Sequence, residues 1–518
     1  MITLILTVLS ILLGFFAWNV TGCSVLIFVA IVPFLLGIYY SNFIGKSARL
    51  KLLVLLILFK FFWVFSQVFW LKDVTYDTFF VAVILHTICF VTIQIPTILT
   101  YNRIGRIYSV LLFLLGWVVF EYFMQHFALL SPFYILGVML GEYETLIAWF
   151  RWLGIEGGTL WILLVNLVLF AVISGVIKHW SLKVRITAVS LCFLPIVLSL
   201  LTSSFATKES KSIEVAALHT NFNPVNRSYE LNPNLVIDSL WNLSNGISET
   251  TDLLLWPETI VSNIGWMQVL QTIPAMDSLN QKIEVFPNLR LTFGTNIFDT
   301  SIDNTDERLN YSEEYNLYYY VHNVALTKSY NTPVAFRSKE IFVPFQESVP
   351  YVQTFPSLKK LISVVGNKNL YTHYEYDVDL QYLKNQTSYV PLLCYEICFP
   401  MFTSKITKDA DFVVVLGNEH WNTSKKGSFL YFNILKSITA QNAKPLVKSS
   451  NNGISVVLTS TGEVVESRLF NDTGLLKQQI SISKGNALYH FIRGYSYILS
   501  LIGICYILLR SKRLKNES

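Results

Sequence analysis

Charge is what this sequence has least of. Only 14% of its 518 residues are Asp, Glu, Lys or Arg, while 53% are hydrophobic; a soluble domain carries about 25% charged residues. With a mean hydropathy of +0.47, the shortage excludes a wholly soluble chain unless the apolar residues are spread evenly. They are not: apolar runs fill Met1 to about Ser203, an ordinary polar region runs from about Lys208 to Gly485, and one more apolar run with a basic tail follows. Cysteine is also scarce. Of six, four lie in apolar segments, and Cys394 and Cys398 stand four residues apart without a distant partner, which excludes a disulfide framework. Metal-ligand spacing, internal repeats and low-complexity tracts are absent. The net charge of +5 sits mostly in short basic loops, so it implies no nucleic-acid partner.

A membrane-spanning helix needs roughly 20 mostly apolar residues. Seven stretches meet this before the polar region, at about 2–18, 23–41, 50–71, 79–100, 107–126, 158–177 and 184–203, and an eighth lies at about 488–509. The first lacks a basic leading segment and an A-x-A-like site, so it reads as a span and not as a cleavable signal peptide. Basic residues follow span two (Lys46, Arg49, Lys51), span four (Arg103, Arg106), span six (Lys178, Lys183, Arg185) and span eight (Arg510, Lys512, Arg513, Lys515), while the alternate loops are poorer in them. By the positive-inside rule both termini are expected in the cytoplasm and the polar region on the outer face. Three parts result: 1–207 with seven helices, 208–487 outside, and 488–518 as the last helix and basic tail.

Within the polar region, "IEVAALHTNF" reads as a first strand, and "NPNLVIDSLWNLSN" has Leu235, Ile237, Leu240 and Leu243 at helical spacing. "TDLLLWPETI" reads as a buried strand ending in a turn at Pro257. "LRLTFGTNIFD", "YNLYYYVHNVALT", "SYVPLLCYEI" and "ADFVVVLGNEHW" read as further strands, and "FLYFNILKSITAQNAK" as a helix. "PLVKSSNNGISVVLTSTGEVV" reads as a hairpin around an Asn-Gly turn. This mixture predicts an α/β layered domain. Such sheets build sites beyond the carboxyl ends of their strands. Three ends carry reactive groups: Glu258 after "LLLWP", Lys339 in "FRSKEIFVPFQE" and Cys394 after "VPLL". Together they have the makings of a thiol acyl-transfer site.

"LLLWPE", "SKEIFVPFQE" and "LLCYEICFP", in that order, resemble the Glu–Lys–Cys motifs of the nitrilase (carbon–nitrogen hydrolase) superfamily. With seven spans before and one after, the chain over essentially its whole length resembles the bacterial apolipoprotein N-acyltransferase family. "FVAIVPFLLGI" is similar to that family's second span, and "FEYFMQHFALLSPFYILG" with "LGIEGGTLWILLVN" to its fifth and sixth; Lys339 to Glu347 is close to its pattern K-x-x-L-V-P-F-G-E. The resemblance implies eight transmembrane helices plus an extracytoplasmic α/β nitrilase-like αββα sandwich, in a multi-pass protein of the bacterial inner membrane. It implies Glu258 as general base, Lys339 as catalytic lysine and Cys394 as nucleophile, with Glu347, Tyr395, Glu396, Asn418 and Trp421 in binding or supporting positions. The implied reaction moves an acyl chain from a membrane phospholipid, through a cysteine thioester, to the α-amino group of a diacylglyceryl-cysteine lipoprotein. The implied enzyme is a monomer in the lipid bilayer and uses no metal or organic cofactor. Two positions depart from the family pattern: Gln346 stands where glycine is usual, and Glu419 is longer than the usual aspartate.

The chemistry sets its own demand. A free thiol titrates near 8.5 and a free glutamate near 4.3, a gap of roughly four units or 5–6 kcal/mol. Burial is expected to raise the glutamate and the ammonium to lower the cysteine. Alone, Cys394 would read as an inert buried thiol and Glu258 as a turn residue; their shared motif order favours chemistry. Cys398 reads as core packing, Tyr395 and Glu396 divide between contact and support, and Asn418 and Trp421 read first as a strand-end cap and a packed aromatic. Lys60, His86 and Glu121 lie within or near the end of spans and are functional candidates by default; Lys60 has no partner evident from sequence. Residues 127–153, rich in aromatics, read as interfacial. A tethered amidase would keep the triad but gain nothing from eight spans. A transporter with an outer binding domain would need paired charges or broken helices in several spans.

Overall fold

The computed structural model describes the chain except residues 42, 44–46, 75, 102, 104, 206–210, 223–231, 303, 362–369, 375–378, 420–423, 483–486 and 517–518. Lys46 and Trp421 therefore lie outside the described residues. The chain divides into two compact units: Met1–Phe205 with Phe429–Gln441 and Ala487–Ser518, and Ala206–Ser428 with Asn442–Asn486.

The second unit is built on two sheets. In chain order its strands are β1 (Lys211–His219), β2 (Leu253–Trp266), β3 (Arg290–Ser301), β4 (Asn310–Ser312), β5 (Leu317–Lys328), β6 (Ala335–Ser338), β7 (Gln381–Tyr382), β8 (Ser388–Leu393), β9 (Phe412–Asn418), β10 (Leu446–Asn451), β11 (Ile454–Leu458), β12 (Val464–Leu469) and β13 (Gly474–Ile482). One sheet has the order β13-β1-β2-β3-β5-β4, with β6 on β5, and the other β12-β11-β10-β9-β8-β7. The middle strands β1, β2 and β3 are parallel, as are β8, β9 and β10. Parallel strands buried on both faces read as continuous apolar runs, and that is how these segments read. Val215, Ala217, Leu253 and Leu255 share a core with Leu393, Val414, Leu416 and Val447 of the other sheet. On the opposite face, Leu218, Leu254 and Trp256 pack under helices Pro233–Leu243 and Pro274–Ile283 through Val236, Ile237, Leu240 and Leu279.

Pro257 does not end its strand. β2 continues through it, and the pairing with β3 shifts register between Trp256 and Val261. Proline cannot donate to a ladder and is tolerated at such an irregularity. The Asn-Gly hairpin is present: Asn452 and Gly453 take φ +60° and +75° between β10 and β11.

Among the described residues of the first unit, six helices are long and apolar enough to cross a bilayer: Ile2–Asn19, Ala48–Asp73, Tyr76–Ile93, Arg106–Met124, Phe150–Ile173 and Leu182–Thr202. Two of the eight expected spans are shorter apolar helices, Ser24–Tyr40 and Tyr495–Arg510. The latter is the apolar part of a helix that runs Tyr495–Asn516; Gly494, at φ +78°, breaks the chain before it. The helix read as part of the outer domain also gives its middle to this unit, because Leu430, Ile434, Leu435 and Ile438 bury one face. Gln441 Oε1 there accepts from Ile155 N at 3.0 Å.

Lys60, without a partner in the sequence reading, is enclosed by rings. Its Nζ lies 4.4 Å from the centroid of Phe90 and 4.5 Å from those of Trp117 and Phe120. Glu121 is fully engaged: it accepts from Trp117 Nε1 at 3.1 Å, Leu136 N at 2.8 Å and Thr159 Oγ1 at 2.5 Å. His86 Nδ1 meets Ala82 O at 2.8 Å, and Ser131 N donates to His86 Nε2 at 3.4 Å. A polar atom inside a bilayer has no water to fall back on, and these groups find protein partners instead.

The second expected span is itself broken at Ile31, just before Pro33. Asn166 repairs the break. Its Oδ1 accepts from Ile31 N at 3.0 Å, and its Nδ2 donates to Ile27 O at 2.9 Å and Ile162 O at 2.8 Å. Asn166→Leu, close in size, leaves the Ile27 and Ile31 groups unsatisfied in an apolar interior, a cost of about 1–3 kcal/mol. The expected outcome is a lowered thermal midpoint in detergent, followed by intrinsic tryptophan fluorescence; an unchanged midpoint would show that these bonds are dispensable.

Candidate active site

Two of the three expected strand ends are present, before Lys339 and Cys394, while Glu258 lies inside β2; the three residues nonetheless come together. Glu258 lies on the irregular part of β2, Lys339 directly after β6, and Cys394 directly after β8. All three are buried, as is Asn323 of β5. Lys339 Nζ lies 3.1 Å from Glu258 Oε1 and 2.7 Å from Glu347 Oε1. Asn323 Nδ2 donates to the same Glu258 oxygen at 2.9 Å, and Val343 N donates to Glu347 Oε2 at 2.7 Å. One ammonium thus serves two carboxylates, and each carboxylate has a second donor.

The backbone gives these groups little freedom. Cys394 has φ +42° and Thr259, next to Glu258, has φ +50°, left-handed values that cost side-chain-bearing residues energy and need support from around them. Gly294 of β3 passes so close that a Cβ there would lie 2.5 Å from Glu258 Cα. Only glycine lets β3 run past the β2 irregularity at that distance.

Electrostatics partly overturn the simple expectation. Burial raises the Glu258 pKa; the Lys339 ammonium pulls it back and Glu347 pushes it up further. Burial works against the Lys339 charge, but Glu258 and Glu347 outweigh it and hold its pKa well above the ordinary value. For Cys394, burial comes first and pushes the thiol up, the Glu258 carboxylate adds to this, and Lys339 offsets only part. Burial and Glu258 thus favour the Cys394 thiol over a preformed thiolate. The ammonium does lower the cysteine, as expected, but desolvation is the larger effect and the net shift is upward.

The remaining sequence candidates take separate positions. Glu396 is fully buried and accepts from Leu393 N at 2.8 Å and Glu340 N at 2.7 Å. It therefore supports the turn that carries Cys394. Tyr395 packs edge-on against Phe399 with ring centroids 5.1 Å apart. Asn418 Nδ2 reaches Thr259 Oγ1 at 3.4 Å, and its Oδ1 accepts from Asn451 Nδ2 at 3.2 Å, so it ties β9 and β10 to the residue after Glu258. Cys398 is buried, as the packing reading expects. Glu419 explains its own length: it pairs with Lys448 of β10, in space that Gly453 leaves open, since a Cβ there would collide with its carboxyl group.

Sequence reading missed Asn323, Gly294 and Arg337. Asn323 had one visible signal, a polar residue inside the apolar run "YVHNVAL". Gly294 and Arg337 had none, because their roles depend on strands far apart in the chain. Among the described residues, no group of three or more His, Cys, Asp or Glu could hold a metal ion.

Comparison with known proteins places relatives on both units. Residues 10–168 match the family model of the apolipoprotein N-acyltransferase N-terminal domain. That match lies in the membrane helices and ends before Glu258, Lys339 and Cys394. An apolipoprotein N-acyltransferase from Rickettsia prowazekii is 23% identical over 418 residues, 77% of this chain and 76% of the relative, an alignment too long to be confined to the membrane unit. One from Rickettsia typhi is 27% identical over 245 residues, 46% of this chain and 44% of the relative. One from Vibrio vulnificus is 27% identical over 153 residues, 29% of this chain and 30% of the relative. The resemblance carried by the motifs is therefore shown in the comparisons too: this chain is a relative of the bacterial apolipoprotein N-acyltransferases.

Proposed function

We propose that this chain is an apolipoprotein N-acyltransferase. It transfers a fatty acyl chain from a membrane phospholipid, through a thioester on Cys394, to the α-amino group of an N-terminal diacylglyceryl-cysteine. The observation that carries the reading is the buried Lys339 between Glu258 and Glu347, beside a cysteine held at positive φ, in a chain related to enzymes of that name. Eight crossings with a nitrilase-like αββα outer domain, both termini in the cytoplasm and the catalytic unit on the periplasmic face are part of the proposal. The side-specific basic loops support that arrangement. Each buried CH₂ is worth about 0.8 kcal/mol, so lipid substrates are better met in the membrane than extracted from it.

The steps follow from the protonation states. Cys394 Sγ attacks the ester carbonyl carbon while its proton passes to Glu258, which burial has made a stronger base than a free glutamate. The Lys339 ammonium stabilises the oxyanion of the tetrahedral intermediate. The C–O bond breaks, and the lysophospholipid oxygen leaves with the proton from Glu258. The lipoprotein amine then attacks the thioester, Glu258 takes its proton, and the C–S bond breaks to give the amide; the sulfur recovers the proton from Glu258. A covalent acyl-enzyme between two substrates predicts ping-pong kinetics.

Two measurements test this. Purified protein incubated in detergent with phospholipid alone is expected to gain one fatty-acyl mass by intact mass spectrometry. Cys394→Ala is expected to gain none, and a diacylated lipopeptide to discharge the adduct. Absence of an adduct in folded protein, or discharge to water as fast as to the lipopeptide, would favour a tethered hydrolase. The pH dependence of Cys394 alkylation by iodoacetamide reads the electrostatics. Its midpoint is expected above the free-thiol value of about 8.5. Glu258→Gln removes a neighbouring negative charge and moves it down; Lys339→Met removes the positive one and moves it up. Shifts in the same direction would contradict this charge arrangement.

A further inference from the structure

Two residues beyond Cys394 and two before Lys339 lies a second buried ion pair. Arg337 and Glu396 are both fully buried, and their contact is bidentate: Nη1 to Oε2 at 2.7 Å and Nη2 to Oε1 at 3.2 Å. Arg337 also meets Glu340 Oε1 at 2.8 Å, Asp379 Oδ1 at 3.3 Å and Pro391 O at 3.4 Å. A pair this deep is weak evidence for stability, because desolvating both charges offsets most of their attraction. Its placement says more. Glu396 Oε1 accepts from Glu340 N, the residue after Lys339, at 2.7 Å, and Oε2 accepts from Leu393 N, the residue before Cys394, at 2.8 Å.

We infer that Arg337 and Glu396 are positioning residues: one carboxylate, oriented by one guanidinium, ties the backbone of Lys339 to the backbone of Cys394 and so sets the distance between ammonium and sulfur. The two residues come from different sheets, β6 pairing in the first and β8 in the second. No ladder hydrogen bond joins these two strands in the described pairing. The Glu396 carboxylate supplies the bonds that the ladders do not. It also holds the turn in which Cys394 takes its positive φ, a conformation that persists only where surrounding structure over-determines it. A guanidinium suits the task because its planar fork fixes the orientation of a carboxylate, which a lysine ammonium does not.

The rate part of this inference rests on the acyl-transfer reading; the alkylation part does not. Arg337→Lys keeps the charge and loses the fork, and Glu396→Gln keeps an acceptor and loses the charge. Each variant is measured three ways: thermal midpoint, pH profile of Cys394 alkylation, and rate of acyl-adduct formation. In folded protein, both variants are expected to raise the alkylation midpoint, as the sulfur drifts from Lys339. Both are expected to slow adduct formation by about 100-fold, the scale of a 1 Å misplacement. If wild type forms no adduct, the acyl-transfer reading fails, while the alkylation shift still reports positioning. An unchanged alkylation profile in folded variants overturns the inference, whatever the thermal midpoint does. Loss of fold in both variants also overturns it, by assigning the pair to stability alone.

Discussion

A single buried ammonium governs the arrangement of the candidate site in the second unit. Lys339 lies within hydrogen-bond reach of both Glu258 and Glu347, two carboxylates that would repel each other in a low-dielectric interior without it. Their negative charges in turn keep Lys339 protonated against burial. None of the three is stable in this place alone, so the loops that bring them together are bound to one another by electrostatics as well as packing. Burial and the neighbouring Glu258 together push the Cys394 thiol up, and Lys339 offsets only part of this.

The second unit places its candidate groups where regular structure is interrupted. Pro257 interrupts the β2–β3 ladder just before Glu258, Lys339 follows the end of β6, and Cys394 begins the turn after β8. Backbone groups freed at such interruptions need partners, and side chains provide them: buried Glu396 for Leu393 and Glu340, half-buried Glu347 for Val343. The membrane unit solves the same problem with Asn166 at the Ile31 break and with Glu121 at Leu136. Glu156 does so near the last helix, where it accepts from Gly494 N at 2.9 Å and Ser496 Oγ at 2.6 Å. In both units, buried acids and amides sit at interruptions in secondary structure and satisfy what the interruption exposes.

Much of this was legible in one dimension. Apolar runs longer than a bilayer mark the membrane helices, and strands buried on both faces announce themselves as "VVVLG" or "LLLW". Glu258, Lys339 and Cys394 were noticeable as well, because a charged or thiol side chain directly after an apolar run needs no contact map to be seen; that Glu258 sits inside β2 was not. Less legible were lengths and ends. Ser24–Tyr40 looks like one span, yet Pro33 breaks it. Pro257 looks like a stop, yet β2 passes through it, since the cost of one missing donor is local while the strand's packing is not. "FLYFNILKSITAQ" looks like a helix of the soluble domain, but its buried face belongs with the membrane unit; a periodic apolar stripe shows that something covers it and not what.

The sequence by itself determined the apolar helices and the α/β character of the second unit, since these depend on composition and on periods of two and 3.6 residues; it offered Glu258, Lys339 and Cys394 as candidates through the order of their motifs. Only the tertiary structure decided which groups share a proton or a charge. Asn323 on Glu258, Gly294 beneath it, Arg337 on Glu396 and the rings around Lys60 are meetings between residues separated by many positions along the chain. The net direction of each pKa was decided there too. Desolvation and Coulomb energy depend on distance in space, which residue order does not encode locally.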